Sequence, residues 1–103
     1  MKKPNYPLYD ILKKEAQQYL HVDKKILRNV FIETLQKMEQ DEFDIIFILI
    51  KINANLSEKN SLIPYDGIKK ETNDVVFNFN KFPIMLQRIL YSFAIKFNNI
   101  KVV

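Results

Sequence analysis

Few side chains in this sequence of 103 residues could carry out catalytic or metal chemistry. His21 is the only histidine and cysteine is absent, so a Cys nucleophile, a zinc–thiolate site and a His-dependent triad lack their components. The acidic cluster Asp41, Glu42 and Asp44 could bind a cation, but acids at the start of a predicted helix also compensate the helix dipole. The single glycine excludes Gly-rich phosphate loops. We therefore expect no enzymatic activity, no metal and no cofactor.

Charge changes sign along the chain, although the formal net charge is only +4. Residues 1–28 hold seven basic and three acidic side chains, residues 29–50 one and five, and residues 51–103 eight and four. Such an alternating field suits charged protein partners better than a continuous phosphate backbone. Three Lys pairs, at 13–14, 24–25 and 69–70, could still contact nucleic acid. A small basic nucleic-acid-binding protein therefore remains an alternative.

The sequence predicts neither a secretory signal nor a membrane segment. Met1-Lys2-Lys3-Pro4 leads into polar and charged residues rather than an apolar stretch. The longest apolar run, residues 45–50, is far shorter than the roughly 18–20 residues that span a bilayer. We expect an intracellular protein that does not contact membranes.

Apolar residues recur at helical spacing in four segments. The predicted helices cover residues 8–20, residues 26–38 after an Asp23 cap, residues 43–52, and the segment opened by Pro83. The third helix is ambiguous because its β-branched run could be a buried strand, but the acidic residues before it favour a helix. Residues 53–73 are polar and are predicted to form a long loop.

A short strand is predicted at residues 74–80, where Val75, Phe77 and Phe79 would share one face. A lone strand leaves its backbone groups unpaired. Either residues 62–68 pair with it weakly, or a partner chain supplies the missing strand. The expected fold is therefore mainly α: a small bundle of three core helices plus an N-terminal helix, with a short strand or hairpin before the last helix.

Residues from about His21 to Phe97 resemble the extra-terminal domain of BET-family bromodomain proteins. In that family an acidic-apolar strand lies between the second and third helices, and a Pro opens the last helix. Here the strand precedes Pro83-Ile84-Met85-Leu86-Gln87-Arg88-Ile89, which keeps the pattern Pro-x-x-Leu-x-x-aliphatic. The resemblance divides the chain into an N-terminal helical extension, residues 1–20, and an extra-terminal-like domain, residues 21–103. The other residues at compatible spacings are Ile32, Leu35, Ile45, Ile46 and Ile50.

The resemblance implies a protein–protein interaction module that recruits transcription and chromatin factors in the nucleus. A short basic-hydrophobic peptide would add a β-strand to the predicted strand and place apolar side chains between helices. Val76 and Asn78 stand where the family usually has acids, which weakens the case for basic ligands. A third possibility is a subunit that only completes a larger assembly. The predicted peptide-binding residues are Asp74, Val75, Val76, Phe77, Asn78, Phe79, Ile46 and Ile50.

Because Val76 is predicted to face outward, a proline there should remove a backbone donor from the open strand edge without emptying the core.

Overall fold

The computed structural model describes residues 6–56, 63–72 and 74–101. It has the predicted mainly-α fold, with four helices and a two-stranded antiparallel hairpin before the last helix. In chain order the elements are helix α1 (Pro7–Ala16), a 3-10 turn (Gln17–Tyr19), helix α2 (Lys24–Leu35), helix α3 (Gln40–Leu56), strand β1 (Ile68–Lys69), strand β2 (Val75–Val76), a second 3-10 turn (Phe79–Lys81) and helix α4 (Ile84–Lys101).

Three of the helices begin where their sequences predict. Pro7 occupies the first turn of α1, where its missing N–H costs nothing. The Asp23 side chain caps α2 by accepting a hydrogen bond from the Lys25 backbone N–H at 2.8 Å. Pro83 immediately precedes α4, and its carbonyl accepts from the Gln87 N–H at 3.0 Å. Local chemistry therefore sets these three boundaries.

The β-branched run of α3 is helical, so the alternative of a buried strand is excluded. Its acidic first turn contains Asp41 and Glu42, which favour a helix N-terminus. Ile46, Leu49 and Ile50 face the core at three-and-four spacing. The expectation that residues 43–52 are largely buried is wrong for Phe43 and Ile48, which are 40% and 54% exposed. An α-helix turns part of such an apolar run outward.

Helix α4 is the centre of the bundle, and α1 and α2 both pack closely along it. Its predicted inward residues are buried: Leu86, Ile89, Leu90, Phe93 and Phe97. Helix α1 adds Tyr9, Leu12 and Ala16 to the same core. The division into an N-terminal extension, residues 1–20, and a domain, residues 21–103, stays a prediction. The apolar stripes predicted for α1 and α2 include residues that the structure does not bury. Four of their residues are more than a third exposed: Leu8, Ile11, Leu20 and Ile26.

Helix α3 continues to Leu56, so the first part of the predicted loop 53–73 is wrong. The reason is the buried amide of Asn53, which is only 6% exposed. Its Oδ1 accepts from the Tyr9 hydroxyl at 2.8 Å, and its Nδ2 donates to the Tyr65 hydroxyl at 2.8 Å. A polar side chain whose hydrogen bonds are satisfied can occupy the buried face of a helix.

The predicted strand finds its partner within the chain. β1 pairs with β2, Ile68 lying opposite Val76 and Lys69 opposite Val75. β1 begins at Ile68, the last residue of the segment 62–68 that is predicted to pair with the strand. The prediction of a loop over residues 53–73 is therefore also wrong at residues 68–69, which form a strand. Residues 57–62 and 73 of that loop lie outside the described residues.

β2 is shorter than the predicted strand 74–80 because the side chain of Asn78 redirects the backbone. Asn78 Oδ1 accepts from the Asn80 N–H at 3.0 Å and opens the second 3-10 turn. Asn side chains commonly compete with strand pairing in this way. Phe79 therefore lies in a turn, although it is buried as predicted.

The buried hydrogen bond of Tyr9 makes stability depend on pH. Burial raises the pKa of the Tyr9 hydroxyl above its ordinary value of 10.0, with smaller contributions from Tyr65 and Asp10. The unfolded chain therefore releases this proton at a lower pH than the native protein does. The stability that this group contributes is complete below pH 10 and is lost as the pH rises through the native pKa.

We predict that Tyr9→Phe lowers the free energy of unfolding by about 1–2 kcal/mol near neutral pH, because the Asn53 oxygen stays buried without its donor. The advantage of the wild type should shrink between about pH 8 and about pH 11. Urea titrations at the two pH values measure the difference in the free energy of unfolding between the wild type and Tyr9→Phe, with Tyr19→Phe as the matched control. A wild-type advantage of equal size at both pH values would contradict the prediction.

Candidate functional site

Within the part of the chain that the structure describes, β2 pairs along one edge only, and the hairpin register shows which residue forms the other edge. The Lys70 N–H donates to the Asp74 carbonyl at 2.8 Å, and Ile68 lies opposite Val76. These are the hydrogen-bonded pairs of the ladder, and the pair between them is not hydrogen-bonded. The N–H and C=O of Val75 therefore point away from β1, toward the open edge.

This register corrects the role predicted for Val76. Its side chain does face outward, at 45% exposure, but its N–H belongs to the pair with Ile68. A proline at 76 would break the hairpin rather than remove an edge donor. The edge donor belongs to Val75.

A groove of about 510 Å³, here called the acidic groove, lies between β2 and the N-terminal half of α3. Its walls combine two aromatic rings with two carboxylates, and neither carboxylate forms an ion pair within the described residues. Asp44 Oδ1 accepts from Gln40 Nε2 at 2.8 Å, and Asp74 Oδ2 accepts from the Thr72 hydroxyl at 2.9 Å. The lining residues are Gln40, Phe43, Asp44, Phe47, Asp74 and Val75.

A second cavity of about 220 Å³, here called the apolar pocket, lies between α2, α3 and the chain that follows β2. Val75 lines both cavities, so the edge residue separates an acidic compartment from an apolar one. The lining residues of the apolar pocket are Phe31, Ile32, Leu35, Ile46, Ile50, Val75, Phe77, Phe79 and Phe82.

The structure brings most of the predicted site residues together. Five of the eight line the apolar pocket, namely Ile46, Ile50, Val75, Phe77 and Phe79. Asp74 lines the acidic groove instead. Val76 and Asn78 line neither cavity: Val76 faces solvent on the hairpin, and Asn78 caps the 3-10 turn.

Sequence reasoning missed the side of the groove that α3 contributes. Phe43 and Phe47, like Gln40 and Asp44, are four residues apart and therefore lie on one side of the helix. With the segment assigned to a helix, this four-residue spacing predicts that the four side chains share one side of it. What lies across from it depends on the position of the hairpin, which the sequence pattern does not specify.

Aromatic packing around Phe82 fixes the hairpin on the bundle. The Phe82 ring centroid lies 5.7 Å from Tyr65, 5.7 Å from Phe77 and 5.9 Å from Phe79. The buried Gln87 amide donates to the Phe82 carbonyl at 3.0 Å and so anchors the same segment. Phe47 lies 6.0 Å from Phe77 and links this cluster to α3.

The residues considered for metal or catalytic chemistry do not converge. His21 is exposed in the turn before α2, and Asp41 and Glu42 lie in the first turn of α3. Across residues 6–56, 63–72 and 74–101, no three potential ligands come together as a metal site. The absence of catalysis stays a prediction. Within the same residues, no helix has both the length and the apolarity needed to cross a bilayer.

Comparison with known proteins yields no match to a family model, a curated protein or a solved structure. The extra-terminal resemblance therefore rests on the sequence pattern alone.

The turn before β1 is packed too tightly to accept a larger residue at Gly67. A Cβ there would lie 2.5 Å from Ile63 Cγ2 and 2.6 Å from Phe77 Cε1. The two preceding residues, Tyr65 and Asp66, hold left-handed φ values of 56° and 59°. The backbone has little freedom to relieve the clash, and Phe77 is a wall of the apolar pocket.

We predict that Gly67→Ala lowers the free energy of unfolding by about 1–3 kcal/mol, because the added methyl group overpacks the site. The aromatic NMR signals of Phe77 should shift as its ring is displaced. Lys70→Ala, an exposed change in the same hairpin, is the control for urea denaturation. Wild-type stability and unshifted Phe77 signals in Gly67→Ala would show that the turn is not tightly packed.

Proposed function

We propose that this protein is an interaction module that binds an extended basic-hydrophobic peptide segment by strand addition to β2. One observation carries the proposal: the unpaired edge at Val75 lies between the acidic groove and the apolar pocket. Strand addition uses main-chain hydrogen bonds for affinity and pockets for alternate side chains for specificity. The edge and the two cavities provide both kinds of contact.

The alternation of a β-strand assigns the ligand's side chains to the two cavities. A ligand residue opposite Val75 exchanges both backbone hydrogen bonds with it, and its side chain shares the Val75 face. That face looks toward the apolar pocket, so an aliphatic residue fits there. The next ligand residue lies beside Asp74 and points to the other face, where a basic side chain is favoured.

Charge contributes less to this binding than apolar fit. Asp74 is exposed, as is Asp44 on the opposite wall of the acidic groove. An exposed ion pair contributes about 0–1 kcal/mol. Burying an aliphatic side chain contributes about 1.5–3 kcal/mol. The affinity is therefore modest, with selectivity for the spacing of aliphatic residues as well as for positive charge.

The cellular role follows from the extra-terminal resemblance alone. On that basis the protein acts as an adaptor in transcription or chromatin regulation, in the nucleus, without catalysing a reaction. The acids beside the open edge of β2 disfavour a phosphate backbone at this site. We therefore favour a protein partner over nucleic acid.

The proposed function is tested with a fluorescent nine-residue peptide in which Lys and Ile alternate, and a control peptide of the same composition with the two residue types in blocks. We predict that only the alternating peptide binds in an anisotropy titration. Val75→Pro should weaken binding at least tenfold, because it removes the edge donor. The variant should keep its fold, because proline is tolerated in a strand where the N–H faces outward. Asp74→Asn should weaken it up to about fivefold, the equivalent of roughly 1 kcal/mol.

Two further variants separate the backbone from the side chains. Val75→Thr keeps the edge N–H and should bind more tightly than Val75→Pro. Lys69→Ala changes the opposite strand and should bind as the wild type does. If Val75→Pro keeps its hairpin by NMR and binds the alternating peptide with unchanged affinity, strand addition is wrong. Binding of an oligonucleotide with a steep salt dependence would instead favour the nucleic-acid alternative.

A further inference from the structure

An apolar cleft lies on the other flank of α3, away from the acidic groove. Its volume is about 250 Å³, and hydrocarbon side chains of α1 and α3 form most of its walls. Leu8 and Ile48 remain 38% and 54% exposed at its rim. The lining residues of this cleft, the α1–α3 cleft, are Tyr6, Pro7, Leu8, Tyr9, Ile45, Ile48, Leu49 and Ile52.

Three isoleucines of the cleft have the spacing of a helix–helix seam. Ile45, Ile48 and Ile52 recur at intervals of three and four residues, as the apolar positions of a coiled coil do. Within its own chain α3 does not bury this stripe completely, since Ile45 is half-buried and Ile48 exposed. A second helix laid along α3 would cover it.

The charges beside the stripe are self-complementary. Asp44 and Lys51 are seven residues apart, so both lie on the same flank of the isoleucine stripe. When two copies of α3 run antiparallel about a two-fold axis at Ile48, Asp44 of each copy comes within one residue of Lys51 of the other. The pairing occurs twice, as an isologous interface requires.

We propose that the α1–α3 cleft is a homodimer interface in which the α3 helices of two copies pack antiparallel about a two-fold axis at Ile48. Each Ile48 enters the cleft of the other copy, beside Leu8, and the Asp44–Lys51 pairs fix the antiparallel direction. The seam extends over only about 10 Å of helix, so the contact belongs to the small, reversible class of interfaces. The proposal does not rest on the proposed peptide binding, although Asp44 also lines the acidic groove.

Sedimentation velocity of the full chain, from about 10 µM to about 1 mM and without peptide, tests the dimer. We expect a reversible equilibrium between a 12.3 kDa monomer and its dimer. Ile48→Glu should raise the dissociation constant at least tenfold, because it places a carboxylate in an apolar contact. Ile26→Glu is the matched control, since Ile26 is 50% exposed on α2, and its dissociation constant should not change. Circular dichroism checks that both variants are folded.

Charge reversal tests the antiparallel arrangement separately. Asp44→Lys and Lys51→Glu should each weaken the dimer several-fold, and the double variant should recover most of the loss because both pairs are restored. A single monomeric species at every concentration would overturn the proposal. So would a dimer that Ile48→Glu leaves unchanged, or a double variant no better than the single ones.

Discussion

Two residues per strand are too few to hold a β-hairpin together in water, so the hairpin of this protein depends on the bundle beneath it. Phe82 provides most of that support. Its buried ring contacts Tyr65 ahead of β1, and Phe77 and Phe79 after β2. Both ends of the hairpin are thereby tied to the segment that opens α4. The open edge of β2 keeps its place because these rings do not move independently.

Helix α3 determines what surrounds that edge. Because its apolar run is helical, the same segment faces the core, the acidic groove and the α1–α3 cleft on three different sides. Phe47 reaches the hairpin through Phe77, whereas Ile48, the next residue, lines the cleft on the opposite flank. A strand would have offered only two faces. The choice of helix at this segment therefore decides how many surfaces the small protein can present.

Apolar periodicity predicts α1, α2 and α4 and the inward face at Val75, Phe77 and Phe79, because burial imposes regular spacing on side chains. The helix at α3 is predicted from its acidic start instead, since periodicity does not separate it from a buried strand. The sequence pattern does not predict the hydrogen-bond register, which follows from the Lys70–Asp74 turn rather than from side-chain type. It therefore predicts the edge donor at Val76, whereas the structure has it at Val75. The end of α3 was missed for another reason. Asn53 reads as a loop residue until its two tyrosine partners, distant in sequence, are known. Contacts of this kind leave no local pattern.

Residue-resolved amide hydrogen exchange tests most directly whether β2 has an open edge supported by the bundle. In the free protein the N–H groups of Lys70 and Val76 should exchange slowly, because the ladder binds them, whereas the N–H of Val75 should exchange quickly. Addition of the alternating Lys–Ile peptide should slow Val75 to the rate of its neighbours. A Val75 amide that is already as protected as Val76 in the free protein would show that the edge is closed, and would contradict strand addition.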